Sequence, residues 1–165
     1  MQLVASELLR RYAVGDTARL TPREPAGIRW SVSHSGSLVA VVTFSGPVGV
    51  DVEKHRPLGR LPDGFFSASD LDAIRSSDDP NGWLRLWVRK EAVMKCASSG
   101  WSTPGVGDLA VSGTLVRWRD GDYHLTDFEP SPGYAAAICT TVPTGAHSVR
   151  VVDEHDLNDA NWESL

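Results

Sequence analysis

Trp87-Val88-Arg89-Lys90-Glu91-Ala92-Val93-Met94-Lys95 reads as the middle of a helix around which the rest of the chain is organised. From Trp83 to Ala97 there is no Gly or Pro, and most residues are good helix formers. Trp83, Leu86, Trp87, Val93, Met94 and Ala97 recur on one face at helical spacing. Pro80 suits a first helical turn, with Asp79 before it as a cap. Lys90 falls inside the apolar face. A lysine there either meets something anionic or snorkels to the surface. Glu91 and Lys95 lie one turn apart on the flank; on their own they make an ordinary helix pair, worth about 0.2–0.5 kcal/mol.

Upstream, residues 28–53 read as a β-meander. Ile28 to Ser33 alternates at period two, Gly36-Ser37 makes a turn, and Leu38 to Phe44 is a continuous β-rich run. After Ser45-Gly46-Pro47 comes Val48-Gly49-Val50-Asp51-Val52-Glu53. In this strand the valines point one way and Gly49, Asp51 and Glu53 the other. Two carboxylates then stand about 7 Å apart along one face. They either form a solvated polar surface or straddle a Mg²⁺, which sits about 2.0–2.1 Å from its oxygen ligands.

Ser67-Ala68-Ser69-Asp70 reads as a capping box that opens a helix near 68–76. Beyond Gly100, the segments 109–111, 114–119, 123–127, 134–140 and 148–152 read as strands between turns. A short helix is expected over 6–12, then a loop over 21–27. Residues 153–165 form an acidic tail. Ser35 to Val41 followed by 48–53 is weakly echoed by Ser131 to Ile138 followed by 149–153. The expected fold is α+β, with two pseudo-equivalent lobes. Each lobe is a helix packed on a small antiparallel sheet, and the active site lies between them. The divisions are 1–27, 28–79, 80–152 and 153–165.

With 165 residues, 41% of them hydrophobic, the chain can bury a real core in one domain. A net charge of −5 argues against binding nucleic acid through a basic surface. No window approaches the roughly 18 apolar residues of a membrane span. Cys96 and Cys139 are too few for a disulfide framework and lack zinc spacing. Met1-Gln2-Leu3-Val4 lacks the start of a secretory leader. A cytoplasmic location with free thiols is expected.

Asp51 and Glu53 on a strand, Glu91 on a helix, and Lys90, Lys95 and His34 as cations together describe a Mg²⁺–diphosphate site. Chemistry alone leads as far as phosphoryl-type transfer or hydrolysis. Three segments then carry a resemblance. Trp30-Ser31-Val32-Ser33-His34-Ser35, Val48-Gly49-Val50-Asp51-Val52-Glu53 and Trp87 to Lys95 stand in the order of the motifs of the 4′-phosphopantetheinyl transferases, surfactin-type group. Phe65-Phe66-Ser67 and Gly133-Tyr134-Ala135-Ala136-Ala137 agree with it. The resemblance covers about residues 28–152.

The resemblance implies transfer of the phosphopantetheine arm of coenzyme A to a serine of an apo acyl or peptidyl carrier protein, with release of adenosine 3′,5′-bisphosphate. Such carriers serve polyketide, nonribosomal peptide or fatty acid biosynthesis. It implies that Asp51, Glu53 and Glu91 hold Mg²⁺, or Mn²⁺ in its place. Glu91 would help deprotonate the carrier serine, and Lys95, with Lys90, would neutralise the departing diphosphate. Ser33 and His34 would contact coenzyme A phosphate. Arg23-Glu24-Pro25 stands where the family has Gly-Lys-Pro, so Arg23 or Arg29 would take that contact. A monomer is expected. The alternative is a shortened relative that holds a carrier protein or coenzyme A without turnover.

Overall fold

The computed structural model describes residues 29–61, 63–99, 105–143 and the backbone of 149–153. The expected helix at 6–12, Arg23 and the acidic tail beyond Asp153 lie outside these residues; Asp153 itself ends a strand. In chain order the elements are β1 (Arg29–Ser35), β2 (Leu38–Phe44), β3 (Val48–Lys54), α1 (Ala68–Ser76), α2 (Gly82–Cys96), β4 (Leu115–Trp118), β5 (Gly121–Phe128), β6 (Tyr134–Thr140) and β7 (Val149–Asp153). They form two antiparallel sheets, ordered β1-β2-β7 and β3-β6-β5-β4. The α+β class is as expected. No helix among the described residues is long and apolar enough to cross a membrane.

The expected meander over 28–53 is corrected. β1 and β2 do form a hairpin, closed at Gly36, whose φ of 59° suits a residue without a side chain. β3 does not continue it. The free edge of β2 is taken by β7, from Leu38↔Asp153 to Val42↔Val149. β3 instead pairs with β6, with Gly49 opposite Cys139, Asp51 opposite Ala137 and Glu53 opposite Ala135. The internal echo in the sequence therefore appears as an exchange. β2 and β3 part into different sheets, as do β6 and β7, and the order β1-β2-β7 recurs as β5-β6-β3. Sheet membership thus crosses the sequence division at 79/80.

The alternation in β3 fixes what it faces. Val48, Val50 and Val52 join Leu38, Ala40, Val42, Ala136 and Ile138 in one buried cluster. On the other side, Val88, Ala92 and Cys96 of α2 pack with Ala135, Ala137 and Cys139 of β6. These small residues let the helix lie close to the sheet. A Cβ on Gly49 would stand 2.0 Å from the Ala92 carbonyl oxygen and 2.6 Å from the Cys96 nitrogen. Asp51 follows Gly49 on the face turned to α2. Cys96 and Cys139 are free and buried.

Local signals held at α1 and less well elsewhere. The Ser67 hydroxyl accepts from Asp70 N at 3.0 Å, and the Asp70 carboxylate accepts from Ser67 N at 2.9 Å, completing the capping box. α2 starts at Gly82 rather than at Pro80. The Asp79 carboxylate accepts from Asn81 N at 2.8 Å and its carbonyl from Gly82 N at 3.0 Å, so Pro80 sits in a turn ahead of the helix. The expected strand at 109–111 is a turn and an irregular stretch, tied by Asp108 N to Gly105 O and Leu109 N to Val106 O. Leu109 and Val111 are buried there; their apolar character marks burial, not a strand.

Candidate active site

β3 and α2 run against each other, and their contact gathers three acids. Asp51 and Glu91 are each only 5% exposed. Asp51 Oδ1 accepts from Ser33 Oγ at 2.7 Å and from Lys95 Nζ at 2.8 Å. The Lys95 ammonium also donates to Val50 O at 3.0 Å and Val32 O at 3.4 Å, so it bridges β1, β3 and α2. Glu53 Oε2 accepts from Ser35 Oγ at 2.8 Å and from Arg56 Nη1 at 2.5 Å. Arg56 lies with its guanidinium 5.2 Å from the Trp83 ring centre. Val88 of α2 and Ala135, the partner of Glu53, line a cleft of about 210 Å³ that His55, Arg85 and Glu129 also border.

The electrostatics follow from this crowding. Burial, then the neighbouring Asp51 and Glu53 charges, push the Glu91 carboxyl up to about 7, against the pull of Lys95. Burial also raises Asp51, with Glu53 adding to it, although Lys95 and the Ser33 hydroxyl both favour its ionised form. Two carboxylate oxygens, Asp51 Oδ2 and Glu91 Oε1, are buried without a hydrogen-bond partner among the described residues. A buried, unpaired carboxylate oxygen is costly.

Those orphaned oxygens are the test of whether a cation belongs here. Among the described residues, no three His, Cys, Asp or Glu side chains converge into a ready-made cation site, and Lys95 occupies one oxygen of Asp51. The donor set nevertheless fits a hard dication. It is all carboxylate oxygen, two of its oxygens lack a hydrogen-bond partner among the described residues, and the mutual repulsion of its acids adds to the burial that raises Glu91.

The structure brings Asp51, Glu53, Glu91 and Lys95 together. It does not bring Lys90, and that expectation is corrected. Lys90 is fully buried on another side of α2. Its ammonium lies 2.7 Å from Asp70 Oδ2 and donates to Phe65 O at 3.0 Å and to Val106 O and Gly107 O at 3.4 Å. It does not snorkel; it ties α1 and the 105–109 turn to α2. Ser33 is buried, with its proton given to Asp51, so in this arrangement it is not offered to a phosphate. His34 is exposed, on the opposite face of β1.

Sequence reasoning missed Asp70 as the partner of Lys90, Arg56 as the partner of Glu53, and the role of Ser31 and Ser35 beside Ser33. It also missed Arg89, which grips the Asp127 carboxylate of β5 and donates to Val111 O. Only the serines left a readable trace: Ser31, Ser33 and Ser35 alternate like Gly49, Asp51 and Glu53.

Residues 47–139 match the family model of the 4′-phosphopantetheinyl transferase superfamily. The chain is similar to the 4′-phosphopantetheinyl transferase Sfp of Bacillus subtilis, at 29% identity over 78% of this chain and 62% of that protein. A second Bacillus subtilis 4′-phosphopantetheinyl transferase is 33% identical over 79% and 62%. The Escherichia coli 4′-phosphopantetheinyl transferase AcpT is 28% identical over 75% and 64%. The chain therefore spans a little over three fifths of the length of these curated relatives.

Proposed function

The chain belongs to the 4′-phosphopantetheinyl transferase superfamily, and on that premise we propose that it transfers the 4′-phosphopantetheine arm of coenzyme A to a serine of an apo acyl or peptidyl carrier protein. Adenosine 3′,5′-bisphosphate is the leaving group. The observation that carries this reading is the buried acidic set at the β3–α2 contact, with its two orphaned oxygens. Asp51, Glu53 and Glu91 would hold Mg²⁺, or Mn²⁺ in its place. When bound, the ion supplies positive charge to the diphosphate of coenzyme A.

The protein's own groups account for the rest. Glu91, whose Oε1 is buried without a hydrogen-bond partner among the described residues, would help take the proton of the carrier serine. The serine oxygen attacks the phosphorus attached to the pantetheine, and the bond to the second phosphate breaks. Lys95 leaves Asp51 Oδ1 to meet the negative charge on the departing bisphosphate. Its tethers to two backbone carbonyls keep the ammonium at the β1–β3 seam when that contact is released. His34, exposed at the end of β1, and Arg23 are proposed to contact coenzyme A phosphate. One chain supplies all three acids, which favours a monomeric enzyme.

The test is the intact mass of an apo acyl carrier protein and an apo peptidyl carrier protein after incubation with this chain, coenzyme A and Mg²⁺. The expected result is a gain of one phosphopantetheine on at least one carrier, abolished by chelation. Binding of coenzyme A or carrier without that gain would move the reading to a holding protein. Release of phosphate or nucleotide with no carrier present would replace it with a hydrolase.

A further inference from the structure

β1 is the outer strand of one sheet and β3 the outer strand of the other, yet no main-chain ladder joins them. The alternate N–H groups of β3 that face away from β6 meet side chains instead. Val50 N donates to Ser31 Oγ at 3.1 Å, Val52 N to Ser33 Oγ at 3.2 Å, and Lys54 N to Ser35 Oγ at 3.0 Å. Three serines at period two thus act as the missing partner strand. A serine hydroxyl has one proton to donate. Since each oxygen here is already an acceptor, that proton is what remains to be directed. Ser33 gives it to Asp51 Oδ1 and Ser35 to Glu53 Oε2. Ser31 stands level with Gly49, which has no side chain to receive it.

We propose that Ser33 and Ser35 are positioning residues for the acidic pair. By occupying one chosen oxygen of each carboxylate, they turn the other toward the space shared with Glu91. For Asp51 the result is visible: Oδ1 is taken by Ser33 and Lys95, and Oδ2 is buried without a hydrogen-bond partner among the described residues. For Glu53, Oε2 is taken by Ser35 and Arg56. The β3 backbone holds each serine and the serine holds each acid, so the cation site inherits the rigidity of two sheets. Hydrogen bonds of this kind behind a metal ligand commonly set metal affinity by about 10–100-fold. The inference rests on the metal-dependent transferase reading and assigns to that site residues that need touch neither substrate nor metal.

The ladder contains its own control, because Ser31 makes the backbone contact without an acid. Mn²⁺ is titrated into the full chain, alone and with coenzyme A, and free ion is read by electron paramagnetic resonance; thermal midpoints are taken in parallel. Ser33→Ala and Ser35→Ala are expected to weaken Mn²⁺ binding by about tenfold or more. Ser31→Ala should lower the thermal midpoint and leave Mn²⁺ affinity unchanged. Ser35 is only partly buried, so Ser35→Ala keeps the test valid if Ser33→Ala does not fold. Equal weakening in all three variants would make the ladder a general stitch and overturn the assignment. Undiminished binding in Ser33→Ala and Ser35→Ala would overturn it as well, with the metal reading intact. No saturable Mn²⁺ binding by the wild-type chain in either arm would remove the metal reading and this inference together.

Discussion

Glu91 combines two properties that usually exclude each other: it is buried, and it lies beside two other acids. Its carboxyl is pushed from the ordinary value of 4.5 up to about 7, first by burial and then by the Asp51 charge. In metal-free solution this is a stability statement. Between those two values the folded chain holds a proton that the unfolded chain has released, so stability falls as pH rises through that window. Glu91→Gln carries no such charge. In chelator, its thermal midpoint should match wild type near pH 4.5, pull ahead through pH 7, and then stay ahead by a constant margin, about 3 kcal/mol by the size of the shift. The same variant should lose transfer by about 10²–10⁴-fold, as expected when a general base is removed. A stability gap that does not change with pH would count against the buried, repelled carboxylate described here.

Lys90 shows what a single residue's sequence context conceals. Helical spacing placed it correctly on the core side, and a lysine there does need an anion. The anion is Asp70, twenty positions earlier and already recognisable as a capping residue. Nothing in periodicity tells a lysine that meets substrate from one that meets a capping carboxylate. Lys90→Met would leave Asp70 and the Phe65 carbonyl facing an apolar group, at a cost of about 3–5 kcal/mol. Urea denaturation should show that loss. Asp51 and Glu53 were legible as one face because alternate strand residues point the same way, whereas Glu91 joined them only through the chemistry of a Mg²⁺–diphosphate site and the family resemblance. Ser33 was expected to meet a phosphate; that its proton goes to Asp51 is revealed only by the approach of β1 to β3.

Elements whose ends are written in local chemistry were the readable ones. α1 was set by its capping box, and β6 by an unbroken buried run from Tyr134 to Thr140. The start of α2 was displaced because Asp79 turns the chain instead of capping it. Leu109 to Val111 was misread because two buried apolar residues in an irregular stretch look like a strand. At this scale the decisive contact is α2 on β3, with Gly49 as its closest point. A methyl group at 49 would meet backbone atoms at 2.0 and 2.6 Å, and neither can rotate away. Gly49→Ala should therefore lift the helix that carries Glu91 and Lys95. The expected cost is at or beyond the upper end of about 1–3 kcal/mol for overpacking, with Mn²⁺ affinity falling in the same variant. Denaturation and ion titration on one preparation would check both.

For the whole molecule, the class of fold and the β1–β2 hairpin were legible, and the sheet that β3 joins was not. Strands adjacent in sequence usually pair, and here β2 and β3 do not. The echo between the two halves was the available hint, but it is equally consistent with separate sheets and with exchanged ones. The exchange makes β7 the only partner for the far edge of β2 among the described residues. Removal of 149–153 should leave a buried, β-branched strand with an open edge. Such a variant is expected to be insoluble or to associate, as light scattering or sedimentation would report.

The exchange also sets an order in time. Leu38 pairs with Asp153, 115 positions later. At about 5–20 residues per second of synthesis, β2 waits on the order of ten seconds for its outer neighbour, and β3 waits almost as long for β6. Contacts this distant in sequence close slowly even in a complete chain. Ser33, Ser35, Asp51 and Glu53 are thus synthesised well before β6 and β7, the strands that complete their two sheets. Until β7 arrives, Leu38-Val39-Ala40-Val41-Val42 travels as an apolar segment with one edge unshielded. The nascent chain's dependence on holding chaperones should accordingly be concentrated in that stretch.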